Sequence, residues 1–199
     1  MVQNFVIPHS RPTLDESDLL SVSKVIRSGR IVQGEVVEKF EKKVAKYIGV
    51  DGAVAMNTGT SALHLSLLAI GIKEGDYVAM PSFVCTALLN AVRYVGAHPT
   101  LVDIDPETYN IDIRDLKKRV KKSTKAIILP HLFGLPADID EIVSLGIPVI
   151  EDCAQAIGAV YKGRKVGSFG KLSCFSFYAT KVLSTGEGGM VVSDSKSLL

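Results

Sequence analysis

Ser-Cys-Phe-Ser-Phe-Tyr-Ala-Thr-Lys-Val-Leu-Ser-Thr-Gly-Glu-Gly-Gly-Met-Val-Val, residues 173–192, brings an alternating apolar strand (Phe175, Phe177) up to a single lysine, Lys181, in a short loop. The loop ends in Gly186-Glu187-Gly188-Gly189, where the backbone can turn sharply and pack against something bulky before a second strand begins. Five residues on either side of Lys181 carry no charge. An ammonium taken out of water is destabilised relative to the neutral amine, so its pKa falls and it becomes able to form a Schiff base. The competing reading is a surface lysine in a polar turn between two strands.

Outward from this stretch, the bulk numbers exclude several classes. The 199 residues are enough for one substantial core. Hydrophobic residues at 47% and charged residues at 22% match a soluble globular protein. With 23 Lys and Arg against 21 Asp and Glu, the net charge of +2 gives no footprint for nucleic acid. Apolar runs are interrupted before they reach a membrane span, as by His64 and Ser66, and the N-terminus lacks a signal-peptide core, so a cytoplasmic location is expected. The cysteines, Cys85, Cys153 and Cys174, cannot pair completely, show no metal-ligand spacing, and are all expected as buried thiols.

In chain order, residues 1–12 read as an extended arm, followed by a helix opened by a Thr13/Glu16 capping box and ended by Gly29. A second amphipathic helix is predicted over Glu35–Tyr47. Short apolar runs then alternate with helical segments. The runs are 53–56, 77–80, 100–104, 126–129 and 148–150; the helices are 60–70, 84–94, 112–121 and 138–144. Wholly apolar strands separated by helices predict an α/β fold with a mainly parallel sheet covered by helices on both faces. In such sheets ligands bind beyond the carboxyl ends of the strands.

The chemistry-bearing residues fall at those ends. After the first core strand, Asn57-Thr58-Gly59-Thr60-Ser61 opens a helix with a glycine and three hydroxyls, an arrangement suited to a phosphate or equally to a plain N-cap. It lacks the lysine of a P-loop and the spacing of a dinucleotide fingerprint. After Pro148-Val149-Ile150 come Glu151-Asp152-Cys153-Ala154-Gln155. Asp152 ends an apolar strand, where a carboxylate needs a partner such as a protonated ring nitrogen, or else caps a helix. Gln155 lies within reach of the same ligand. His131, after the preceding strand, suits either a ligand contact or a hydrogen-bonded structural imidazole, and His64 reads as packed.

Together these motifs, in order and separation, resemble the DegT/DnrJ/EryC1/StrS family of sugar aminotransferases, which use pyridoxal 5′-phosphate on the fold-type-I scaffold. The resemblance runs from Arg11-Pro12 through Gly34 and Phe40-Glu41, Pro81-Ser82-Phe83, Asp103 with Asp105 and the Glu151–Gln155 motif to Ser176-Phe177, Lys181 and Gly186–Gly189. It implies that Lys181 carries the cofactor as a Schiff base, that Asp152 pairs with the pyridine nitrogen, and that Gln155 lies against the ring. It further implies that Gly59, Thr60, Ser61 and Ser176 hold the phosphate. Cys85 stands where many members carry an aromatic stacked on the ring, so stacking falls to Phe83 or another group.

The implied reaction is transamination between glutamate as amino donor and a keto group on a nucleotide-linked deoxysugar, in a homodimer. Relatives with histidine in place of the lysine are dehydratases, and Lys181 argues against that here. The expected organisation is an N-terminal arm and helix over 1–34 and a cofactor-binding large domain over 35–199, with the small C-terminal domain of the family missing. Alternatives are a non-catalytic remnant, one half of a split enzyme, or an aminotransferase acting on a cyclitol ketone.

Overall fold

The computed structural model describes residues 10–199, so most of the expected N-terminal arm lies outside the described residues. Helix α1 spans Glu16–Ser28. Its capping box is not Thr13 with Glu16. Asp15 accepts from the N–H groups of Ser17 and Asp18, and Asp18 returns a bond to the Asp15 N–H. An aspartate is as strong an N-cap as threonine, and starting there satisfies an extra backbone donor reciprocally. Gly29 closes the helix in the left-handed region, as expected. No residue of α1 is buried. Helix α2 (Glu35–Ile48) instead sinks Val44, Ala45 and Ile48 into the core.

The alternating segments are β1 (Gly52–Met56), α3 (Gly59–Ala69), β2 (Tyr77–Pro81), α4 (Ala87–Tyr94), β3 (His98–Val102), α5 (Ile113–Arg119), β4 (Thr124–Pro130), α6 (Ile139–Val143) and β5 (Val149–Asp152). A small hairpin, β6 (Val160–Tyr161) with β7 (Arg164–Lys165), escaped the sequence reading because two-residue strands leave no periodicity to detect. Strands β8 (Leu172–Ser176) and β9 (Gly189–Ser193) complete the set. A 3₁₀ turn, Lys196–Leu198, follows β9.

Seven strands form one sheet in the order β1-β9-β8-β5-β4-β2-β3. Neighbours are parallel except at β9, which runs antiparallel to both β1 and β8. Strand alternation divides the core in two. Ile127, Leu129, Val149 and Phe175 pack with α2, α5 and α6, whereas Ala126, Ile128, Ile150 and Leu172 pack with α3 and α4. Both faces are therefore covered, and the free ground for a ligand is the row of carboxyl ends of β4, β5 and β8 beside the start of α3.

Candidate active site

A cavity of about 340 Å³ opens at that row and is lined by Gly59, Thr60, Cys85, Asp152, Gln155, Ser176 and Lys181, among others. Of the eight residues singled out from the sequence, only Ser61 is outside the lining. Its N–H and hydroxyl are instead engaged by the side chain of Thr58, which settles the N-cap in favour of Thr58.

The anion end is built by close packing. Gly59 starts α3 against Ser176, and a β-carbon on Gly59 would lie 2.8 Å from that of Ser176. The backbone N–H groups of Gly59 and Thr60, the first two of the helix, donate to no group among the described residues. They face the cavity beside the Ser176 hydroxyl with the positive end of the helix dipole behind them. Free N–H groups at a helix start of this kind suit an anion.

The amine end hangs on the β8–β9 connection. The Phe177 N–H donates to Gly188 O (2.9 Å), and the Thr185 N–H donates to Phe177 O (2.9 Å). The Lys181 N–H donates to Tyr178 O (2.8 Å). These bonds hold the loop that carries Lys181. The desolvation expected of Lys181 is partial, since the residue is half-buried, and its ammonium makes no salt bridge among the described residues.

Between these two ends lies Asp152. Its Oδ1 accepts the Ala154 N–H (3.0 Å), an Asx-type turn and not a helix cap, because turns and not a helix follow β5. Burial pushes its carboxyl above the ordinary aspartate value, partly offset by the Ala154 N–H and the nearby Lys181 charge. An acid in this position gains from a cationic hydrogen-bond donor entering the cavity. Gln155 is pinned through Oε1 to the Phe133 N–H (2.9 Å), which leaves its amide nitrogen for a ligand.

One expectation changes and one alternative is resolved. Cys85 is exposed at the cavity mouth, whereas Cys153 and Cys174 are buried as expected and have thiol pKa values raised by burial. Cys85 differs because α4 begins only at Ala87, leaving residues 82–86 as a surface turn. His131 turns out to be the structural imidazole. Its Nδ1 accepts the Ala137 N–H (3.1 Å), so the ring proton sits on Nε2, which donates to Glu151 (3.0 Å).

Glu151 is the residue that sequence reasoning passed over. Its carboxylate is fully buried and receives five donors: His131, the backbone of Gly167, Phe169 and Gly170, and the Ser173 hydroxyl. Burial pushes its pKa upward, but the bonds from His131 and the loop outweigh that and hold it below the ordinary glutamate value. The signal was present in the strand itself: alternation sends adjacent Glu151 and Asp152 to opposite faces, so Glu151 needed its own partners.

The chain is 44% identical over 197 residues to GDP-perosamine synthase of Escherichia coli O157:H7, covering 96% of this chain and 54% of that protein. It is 43% identical over 209 residues to the UDP-N-acetyl-3-dehydro-alpha-D-glucosamine 3-aminotransferase of Acidithiobacillus ferrooxidans, covering 100% of this chain and 56% of that one. Its fold superposes with a TM-score of 0.92 on the E. coli GDP-4-keto-6-deoxy-D-mannose-3-dehydratase with bound hydrated PLP, at 31% identity over 96% of this chain and 52% of the other. The chain thus spans about half the length of the curated relatives it matches. Residues 12–199 match the DegT/DnrJ/EryC1/StrS aminotransferase family, and the chain belongs to that family.

Proposed function

We propose that this chain binds pyridoxal 5′-phosphate and forms the cofactor-binding half of an enzyme that transfers an amino group from glutamate to a keto group on a nucleotide-linked deoxysugar. The observation that carries this is the convergence of an unpaired lysine amine, a buried carboxylate and a helix N-terminus on one cavity. The three match the aldehyde, ring nitrogen and phosphate of a single pyridoxal molecule. When bound, the cofactor supplies an electron sink for the substrate's bond-making carbon.

The chain's own residues then have distinct tasks. The Lys181 amine holds the cofactor covalently and, once displaced by an amino donor, takes the proton from the donor's Cα. Asp152 keeps a proton on the pyridine nitrogen. The N–H groups of Gly59 and Thr60 and the hydroxyls of Thr60 and Ser176 bind the phosphate; Ser61 acts only through Thr58. Gln155 and Cys85 border the ring.

Residues 35–199 are read as the large domain and 1–34 as an accessory arm and helix. The apolar residues α1 leaves exposed, such as Leu19, Leu20 and Ile26, suit the interface of a homodimer. Three free thiols suit the reducing cytoplasm. No helix among the described residues is long and apolar enough to cross a membrane.

The test is absorbance after adding pyridoxal phosphate, with Lys181→Ala alongside. A long-wavelength band present in the wild type and lost in the variant supports the assignment; identical spectra overturn it. Loss of the band on adding glutamate supports the donor. A second reading, a cofactor-holding protein without turnover, is favoured by the half-length match. It predicts the band without any response to glutamate.

A further inference from the structure

The five-donor carboxylate of Glu151 has no part in the chemistry above, yet it stands one residue from Asp152 on β5. His131, Glu151 and Cys153 are close enough together to suggest a cation site. The hydrogen bonds argue otherwise. Five N–H or O–H groups point at the carboxylate, the environment of an anion, and the imidazole nitrogens are both engaged.

The protonation of His131 gives this cluster its consequence. Because the Ala137 N–H occupies Nδ1, the imidazole is neutral and does not cancel the charge of Glu151. A negative charge therefore sits inside the sheet, fully buried, behind the acid that faces the cavity. We propose that Glu151 is a positioning residue of the cofactor site: held by neutral His131 and the 167–173 segment, it fixes the end of β5 and adds a second buried negative charge that favours a cation in the cavity. The proposal rests on the assignment of the cavity to pyridoxal phosphate.

The titratable groups lining that cavity are Cys85 ahead of α4, His131 just after β4, Asp152 at the end of β5, Cys174 from β8, and Tyr178, Lys181 and Glu187 from the β8–β9 connection, with Cys153 following β5 behind them. The buried Cys153 and Cys174 thiols are held protonated by burial. Apart from Asp152 itself, Glu187 is the other acid at the cavity, and it is exposed, where water screens it. Glu151 is fully buried, and a buried charge acts at longer range than an exposed one.

The experiment follows the pH midpoint at which the absorbance of lysine-linked pyridoxal phosphate changes, in the full chain. Glu151→Gln removes the charge and keeps the shape; the midpoint falls by about half a pH unit or more. His131→Gln removes a neutral group, and the midpoint stays within about 0.2 unit of the wild type. An unchanged midpoint in folded Glu151→Gln overturns the proposal. So does a midpoint moved by about half a unit or more in His131→Gln, which would mean the imidazole carries charge. Should Glu151→Gln fail to fold, the His131→Gln result and the nitrogen-15 shifts of His131 in the wild type decide. A neutral Nε2–H ring through neutral pH supports the proposal, and an imidazolium overturns it. If no band depends on Lys181 at all, the cofactor assignment itself fails and this inference with it, an outcome distinguishable from the others.

Discussion

Gly189 and Thr58 touch backbone to backbone: a β-carbon on Gly189 would overlap the Thr58 carbonyl and come within 2.7 Å of the Gly59 nitrogen. The contact brings the first residue of β9 against the start of α3, so the loop carrying Lys181 and the anion cradle are joined by one close approach. Gly189→Ala forces these segments apart. Overpacking of this kind costs about 1–3 kcal/mol, read as a lower urea midpoint with unchanged m-value. Phosphate-dependent binding of pyridoxal phosphate weakens with it, and a variant as stable and as tight as the wild type would contradict the contact.

Ser176 separates binding from folding. Ser176→Ala keeps the β-carbon that packs on Gly59 and removes only the hydroxyl. Affinity for pyridoxal phosphate falls about tenfold, equivalent to about 1.4 kcal/mol, while the melting temperature stays within a degree or so of the wild type. Fluorescence titration of both proteins measures the ratio.

Asp152 costs the empty protein stability. Its folded pKa is raised, so between the unfolded aspartate value near pH ~4 and the higher folded value the native state binds more protons than the unfolded chain. Stability therefore falls as pH rises through that window. Asp152→Asn keeps an acceptor for Ala154 and removes the charge. Without cofactor the variant is more stable than the wild type at neutral pH, and the difference vanishes below pH ~4. With cofactor, the response of the long-wavelength band to glutamate proposed above is lost. Denaturant melts at two pH values check the sign.

Glu151 titrates the opposite way. Its folded pKa is depressed, so its contribution is complete above the unfolded glutamate value near pH ~4.3 and is lost as pH falls through the folded one. Glu151→Ala strands five buried donors and costs about 3 kcal/mol or more at neutral pH. The penalty shrinks in acid, which melts at about pH 3 and pH 7 would reveal.

Exposed apolar residues of α1 contribute little to the fold of the isolated chain. Leu19→Glu and Ile26→Glu, both at exposed sites on a helix that buries none of its residues, change stability by less than about 0.5 kcal/mol. Sedimentation of the double variant shows whether the same face holds two copies together. A shift to a lighter species supports the dimer interface, and an unchanged distribution removes α1 from it.

Strand and helix order was legible in the sequence because short apolar runs such as 77–80 and 126–129 alternate with longer segments of helical length, and α2 carries a clear apolar stripe. So were the cavity residues, since polar groups at the carboxyl ends of parallel strands converge by topology alone. Cys85 was misplaced because burial of a lone thiol depends on where α4 begins, which moved from residue 84 to Ala87. The capping box shifted by two residues for a similar reason: Thr13 and Asp15 are near-equal caps, and local chemistry does not choose between them.

The amino-acid order by itself determined that an amine, an acid and a helix start would lie at one edge of a helix-covered sheet, because periodicity and strand burial are properties of neighbouring residues. Only the tertiary structure decided which hydroxyl-bearing residues line the cavity, that the Ala137 N–H occupies Nδ1 of His131, and that Glu151 is ringed by donors from His131 and the 167–173 segment. Those outcomes depend on hydrogen bonds between residues up to 22 positions apart, whose geometry exists only once the sheet has closed around them.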